Sequence, residues 1–435
     1  MLLSPSPTVT SSVPVGRGVR YVGIDLARFV AITGMMAAHL LSLPLMLPGA
    51  SGFEQGLAES LNIITNGAPA ALFAVLGGLS IVFATRRQLR EGHRWKASAS
   101  VAVRGIVLIV LGLLLGFVDN SIVVILVYYG LSMLLISPLI AVRGWVLAVI
   151  AVLLGLGAGW LNALLRRALQ VAVEGPHISF DFFFQDPVVA VRTLLITGEY
   201  PVVTWACYLL SGILIGRMLV AAAARGALGR TAAALAAIGA TVAIAAQLVS
   251  EWTLANLVTL GILQEAEFFQ AAQMQLMHFG GSGGNPSTSP LAQLIAIPHS
   301  GTVIDILRTL GLACVAIGVL VWLCDREKPT PDSAAGLAEP SLGAKMLDVV
   351  RATGAAPLTI YTMHILVSGA LLHPYFGKEA MPVTSFTDLP WWAAGPVACL
   401  LQLALALSVG AVLSATKRRG PLEALLARIV ALFVR

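Results

Sequence analysis

Charge is scarce in this chain. Only 11% of its 435 residues are Asp, Glu, Lys or Arg, against 58% apolar, and the mean hydropathy is +0.89. That is too little polar surface to cover a soluble body of this size, which excludes a water-soluble globular enzyme and makes an integral membrane protein the expectation. Cysteine is scarcer still. Cys207, Cys314, Cys324 and Cys399 all fall in or at the end of apolar stretches with no CxxC pair, so they read as packing residues and no zinc or other metal is expected. A P-loop, a dinucleotide-binding glycine fingerprint and an HExxH pair are absent too, which removes the commonest nucleotide and metalloprotease signatures.

What is abundant is long apolar sequence. Crossing roughly 30 Å of hydrocarbon takes about 20 residues of helix, and ten stretches qualify: 22–47, 61–84, 101–118, 121–141, 143–163, 201–223, 230–250, 302–324, 350–372 and 391–414. The expected fold is therefore all-α, a polytopic bundle of about ten transmembrane helices. The first 20 residues carry Arg17 and Arg20 but no separate short apolar region with a cleavage site, so the first span reads as a retained anchor.

The net charge of +6 needs no acidic or nucleic-acid partner. Walking through the ten spans, 22 of the 27 Lys and Arg residues fall on one set of loops, Arg104 counted among them. By the positive-inside rule that set is cytoplasmic, which places both termini in the cytoplasm; the expected location is the plasma membrane. The organisation reads as a tail (1–21), a core of eight spans (22–324), a cytoplasmic linker (325–345), and two last spans with a basic amphipathic tail (346–435) that lies along the inner face. A second linker-like stretch, Phe279 to Pro290, falls on the outer side. The pairs Gly112 and Gly116, Gly155 and Gly159, and Gly212 and Gly216 read as close-packing faces between helices.

Polar chemistry concentrates in GIDLARFVAITGMMAAHL, Gly23 to Leu40. Asp25 and Arg28 are three residues apart, and Arg28 and His39 eleven, close to three turns, so all three share one helix face with His39 about 16 Å deeper. One reading is structural: Arg28 reaches lipid phosphates, Asp25 pairs with it, and His39 bonds a neighbouring helix. The other is functional, because ionisable groups at such depth are costly and an imidazole takes up a proton near neutrality. On this topology His39, His177, His278, His299, His364 and His373 all lie in the outer half or beyond, and only His93 is cytoplasmic.

The Arg28 to His39 spacing resembles the opening motif of the membrane-bound acyltransferase type 3 superfamily. The fuller run, with NGAPAALFAVLGGLSIVFATRR (Asn66 to Arg87), RGIVLIVLGLLLGFVDNSIVVILVYYGL (Arg104 to Leu131), YPVVTWACYLLSGILIGRM (Tyr200 to Met218), GAAPLTIYTMHI (Gly354 to Ile365) and RRGPLEALL (Arg418 to Leu426), resembles its YeiB-like branch and relatives of heparan-alpha-glucosaminide N-acetyltransferase. The resemblance implies a bundle that moves an acyl group, often acetyl, from cytoplasmic acyl-CoA to an acceptor across the membrane. It implies His39 as the catalytic residue and Arg28 as support for the donor.

Around these, Asp25, Arg86 and Arg87 are expected to help Arg28 hold the phosphates of acyl-CoA, the co-substrate, since guanidinium groups grip phosphate well. His299 and His364 are expected to assist His39, with Asp305 orienting His299. Asp181, in the aromatic outer loop SFDFFFQDP, is an acceptor-side candidate. The acceptor is expected to be a cell-envelope glycan or glycolipid; lipids surround the chain, and a homodimer is left open. The rival readings are a small-molecule or lipid transporter or flippase with an intramembrane Arg/His site, and a non-catalytic envelope scaffold.

Overall fold

The computed structural model describes residues 21–118, 122–171, 178–262, 283–285, 287–326, 341–376 and 383–434. His177, His278, residues 327–340 of the cytoplasmic linker and residues 279–282 and 286 of the outer stretch lie outside these residues. No strand occurs among the described residues. The main helices are α1 (Val22–Leu41), α2 (Gly52–Thr65), α3 (Ala68–Arg90), α4 (Arg94–Leu115), α5 (Leu126–Ile136), α6 (Gly144–Leu169), α7 (Val202–Ala224), α8 (Leu228–Ala255), α9 (Val303–Asp325), α10 (Leu342–Gly354), α11 (Pro357–Phe376), α12 (Gly395–Thr416) and α13 (Pro421–Phe433).

Eight helices are long and apolar enough to cross a membrane, and nine when the pair α10 and α11, bent by 76°, counts as one span. The chain is a multi-pass membrane protein. The fourth expected span, 121–141, is shorter in the fold: Leu126 to Ile136 is α-helical, and Pro138 then opens a 3-10 turn, Ser137–Ala141. The second expected span also shifts. Gly67 takes φ +78 and Pro69 follows in the first turn, a combination that starts a helix rather than continuing one. So α2 is a separate helix, and α3 runs on to Arg90.

α3 and α7 are the most buried spans, and α1 packs beside α3. Ala27 and Ala31 of α1 are fully buried, and the small face lets α3, α9, α10 and α12 close around it. The start of α1 is tied down by Asp325 at the end of α9, whose carboxylate accepts from the N–H groups of Val22 and Gly23, each at 2.9 Å. Satisfying these orphan donors with an anion at the positive helix end stabilises by roughly 0.5–2 kcal/mol. The α10–α11 bend falls at Pro357, which cannot continue a helical ladder. Glu423 of α13 then caps α11 from outside, accepting from Leu358 N–H at 2.6 Å and Thr359 N–H at 3.1 Å. The helices after residue 341 thus pack onto α1.

Candidate active site

α1 connects two cavities at opposite ends of the bundle. Its C-terminal turn opens into a pocket of about 300 Å³ whose wall includes His39, Asn62, Glu199, Tyr200, His299 and Tyr361. Its first turns line a larger cavity of about 1040 Å³, rimmed by Arg28, Arg86, Arg351, Lys417, Arg418 and Arg419. Between them a slot of about 240 Å³ is bounded by Arg28, Phe73, Ser80, Arg104, Tyr129 and Glu423. Like α1, α3 touches all three in sequence: it gives Pro69 and Ala70 to the pocket, Phe73 to Ala84 to the slot, and Phe83 and Arg86 to the basic cavity.

At the pocket, the imidazoles of His39 and His364 lie nearly coplanar, 4° apart, with His39 Nδ1 2.9 Å from His364 Nε2. His364 is 1% exposed and reaches α12 through Nδ1, which lies 2.5 Å from Gln402 Oε1. Gln402 Nε2 donates to Ser368 Oγ at 3.0 Å. An amide oxygen only accepts, so Nδ1 of His364 carries its proton and Nε2 is the acceptor. His39 Nδ1 must then be the donor. The nitrogen of His39 not engaged by His364, Nε2, is left with a free lone pair. The file from Ser368 through Gln402 and His364 thus fixes His39 as a base. Breaking it would strand a buried donor at a cost of about 1–3 kcal/mol.

His299 reaches the same pocket on a turn held from several sides. Its φ is +62 and that of Gly301 is +67, a conformation that a non-glycine residue adopts at some expense and that concentrates at functional sites. Thr302 Oγ1 donates to Ile295 O at 2.6 Å, and Asp305 accepts from Gly301 N–H at 3.3 Å. The turn also presses on α6: a Cβ at Gly159 would stand 2.2 Å from the Gly301 carbonyl oxygen. His299 meets the Tyr200 ring edge-on at 5.0 Å. Burial, with Arg308 adding to it, pushes the His299 imidazole down to about 4, so it is neutral at physiological pH.

Glu199 enters through a π-turn, Thr193–Thr197, clamped by the buried Arg166, which donates to Ile196 O at 2.9 Å and Gly198 O at 2.7 Å. Burial pushes the Glu199 carboxyl up to about 7, against an opposing hydrogen bond with Tyr200. The pocket therefore holds two neutral imidazole groups and a carboxyl that titrates near neutrality.

At the other end, Arg28 donates to Asp25 Oδ1 and to Ser80 Oγ, both at 2.7 Å. Asp25 also faces Arg351 at 3.8 Å. In this cavity guanidinium and ammonium groups outnumber carboxylates, a donor set suited to an anionic ligand. Among the described residues no group of three or more His, Cys, Asp or Glu side chains is arranged to hold a metal ion.

The structure thus gathers His39, His299 and His364 at one end and Asp25, Arg28 and Arg86 at the other. Three of the sequence candidates stand elsewhere. Arg87 is exposed and pairs with Glu91 at 2.8 Å. Asp181 is exposed on the short helix Phe180–Gln185, accepting from Gln185. Asp305 is buried beneath the His299 turn, engaged with its backbone. Gln402, Glu199 and Arg104 were not singled out from the sequence. A lone amide inside the apolar run of α12 was the available sign of the first.

A family model described as heparan-alpha-glucosaminide N-acetyltransferase, catalytic, matches residues 20–255. The match takes in α1 to α8, and with them Arg28, His39 and Glu199; His299, His364 and Gln402 come from helices and turns beyond it. No curated protein and no solved structure matches the chain. With more than half its length covered, this multi-pass membrane chain belongs to the heparan-alpha-glucosaminide N-acetyltransferase catalytic-domain family, an acetyltransferase family of the membrane.

Proposed function

We propose that the chain transfers an acetyl group from acyl-CoA, entering from the cytoplasm through the basic cavity, to an acceptor bound in the His39 pocket on the far side. The observation that carries this is the succession of basic cavity, slot and pocket along α3, ending at a histidine whose free nitrogen is a fixed base. Charge supports the orientation, since the basic rim matches cytoplasmic loops. The donor's phosphates stay with Arg28, Arg86, Arg351 and Lys417 to Arg419, while its neutral arm follows α3 inward.

In the pocket, His39 Nε2 takes the proton from the attacking amine or hydroxyl as the new bond to the acyl carbon forms. The thioester C–S bond breaks, and the proton on His39 passes to the leaving thiolate, so the imidazole returns to its starting tautomer. His364 and Gln402 steady the imidazolium in between. Glu199 supports an amine acceptor: a carboxyl titrating near 7 holds an ammonium group and accepts the proton that frees its lone pair. Neutral His299 and Tyr200 can donate to or accept from sugar hydroxyls, which supports a glycan or glycolipid.

The test is calorimetric titration of acetyl-CoA into purified wild type, His39→Ala and Arg28→Ala, followed by an acetyl-transfer assay on amino-sugar glycolipids. His39→Ala is expected to bind donor normally and lose about 10²–10⁴ in transfer rate, with Arg28→Ala weakened in donor binding. If the folded wild type bound neither acetyl-CoA nor CoA, the proposal would be wrong.

A further inference from the structure

The slot between the end cavities contains a charge that acid–base chemistry at His39 does not use. α4 begins at Arg94, so Arg104 lies about 15 Å along it, near mid-span rather than in a loop. Its Nε is buried with no hydrogen-bond partner, and the guanidinium has no carboxylate partner among the described residues. The nearby acids, Glu423 on the slot wall and Asp25 on the wall of the basic cavity, are committed elsewhere. Asp25 serves Arg28 and Arg351, and Glu423 accepts from Leu358 N–H, Thr359 N–H and the Thr359 hydroxyl.

A guanidinium at membrane depth without a counter-charge is expensive, and such residues mark binding sites or ion paths by default. The alternatives for a lone arginine fail here. It cannot be setting topology from a loop, because it is ten residues inside a helix, and it is not held in a structural ion pair. It faces a cavity, beside Arg28, Ser80, Tyr129 and the engaged carboxylate of Glu423, with apolar lining from Phe73, Ile81, Leu108 and Met133. With the Ser80 hydroxyl spent on Leu76 O and Glu423 held by the start of α11, two guanidinium groups and a phenol are the donors that remain for one anionic oxygen cluster on an elongated neutral chain.

We propose that Arg104, together with Arg28, binds a phosphate inside the slot. For the acetyl donor this is the phosphate that joins the pantetheine arm to the nucleotide. The inference rests on the acyl-CoA reading above. It divides the donor between two sites: the arm's phosphate at Arg104 within the bundle, and the nucleotide's remaining phosphates at the rim with Arg86, Arg351 and Lys417 to Arg419. Seating the phosphate that deep shortens the distance the arm must cover to reach His39.

The discriminating ligands are CoA, 4'-phosphopantetheine and pantetheine, titrated calorimetrically into wild type, Arg104→Gln, Arg104→Lys and Arg86→Ala, with native mass spectrometry of each for retained phospholipid. Wild type is expected to prefer 4'-phosphopantetheine over pantetheine at least tenfold. Arg104→Gln reduces that preference to near one, and Arg104→Lys lowers it at least threefold, because an ammonium lacks the planar fork; if the glutamine variant does not fold, the lysine variant carries the test. Arg86→Ala weakens CoA but leaves the preference intact. A preference unchanged in either Arg104 variant overturns the inference while leaving the acyl-CoA reading in place. Wild type that binds none of the three overturns that reading and the donor assignment together. Loss of a retained phospholipid from Arg104→Gln, with CoA affinity unchanged, would keep a phosphate site but give it to a lipid headgroup and overturn the donor assignment.

Discussion

At one end of α1, His39 stands in a file of hydrogen bonds in which each group has one role. Ser368, Gln402 and His364 are buried, and each hands its neighbour a defined donor or acceptor. At the other end, eleven residues back, Arg28 belongs to a crowd of cations with partial partners, wide enough to leave donors free. The contrast follows from what each end has to do. Proton transfer needs a single tautomer, which only a saturated network provides. Anion binding needs donors still unspent when the ligand arrives. A saturated site at the basic end would bind nothing, and an unsaturated one at His39 would leave its tautomer undefined.

The sharpest way to break the contrast is to unsaturate the His39 end without touching the pocket. Gln402→Leu removes the close acceptor of His364 Nδ1–H and leaves it only the Ser368 hydroxyl, 3.4 Å away. His364 then does better with its proton elsewhere, His39 Nδ1 loses its acceptor, and the proton moves to Nε2, facing the pocket. A base becomes an acid. The acetyl-transfer kcat is expected to fall by about 10²–10⁴, with KM for the donor unchanged. Gln402→Glu, which accepts the same hydrogen bond, should restore most of the rate. Equal loss in both variants would mean that Gln402 acts by packing alone.

A smaller effect, read by pH, lies wholly at the His39 end. Burial raises Glu199 from its ordinary 4.5 to about 7. A carboxyl whose folded value is raised favours the folded state most fully below about pH 4.5, and that contribution is lost as pH rises through 7. Glu199→Gln, neutral throughout, should match wild type in Tm below pH 4.5 and exceed it above pH 7. His299, lowered to about 4 from 6.5, works in the opposite sense: its contribution is present above pH 6.5 and lost on acidification through 4. Thermal melts from pH 4 to 8.5 separate the two, since only the alkaline arm should respond to the Glu199 change.

How much of this was legible in the sequence depends on how far apart the partners lie. Asp25, Arg28 and His39 share one helix, so their common face follows from spacing alone. His364 stood out as an intramembrane histidine, but its contact with His39 bridges 325 residues, a separation that helical periodicity does not encode. Gln402 sits in an apolar run where one amide barely alters hydropathy. Arg104 lies near the start of the expected span 101–118 and was therefore counted with the adjoining loop, whereas the helix begins at Arg94 and holds it ten residues in, because the polar turns of RWKASAS are as helix-compatible as the apolar ones that follow. Glu199 looked like one acid among several in outer loops until Arg166 and the π-turn aimed it into the pocket. The eight clear spans were legible; the shorter α5 was not, because Pro138 and the pocket-lining residues before α5 interrupt a run that is apolar enough to cross.

The least perturbing test lies within two adjacent residues at the basic end. Arg86 and Arg87 have the same chemistry at the end of α3, and sequence alone gives no reason to separate them. The helix does: consecutive residues point about 100° apart, so Arg86 lines the cavity while Arg87 faces outward to Glu91. An exposed pair of this kind contributes little to stability and is screened by salt. Arg87→Ala is therefore expected to leave both Tm and CoA affinity unchanged, whereas Arg86→Ala lowers CoA affinity several-fold, more strongly at 20 mM than at 300 mM salt. Equal losses in the two variants would mean that CoA responds to the diffuse positive field of the rim. A loss confined to Arg86 means that the basic end, for all its loose charge, is read by the ligand one guanidinium at a time.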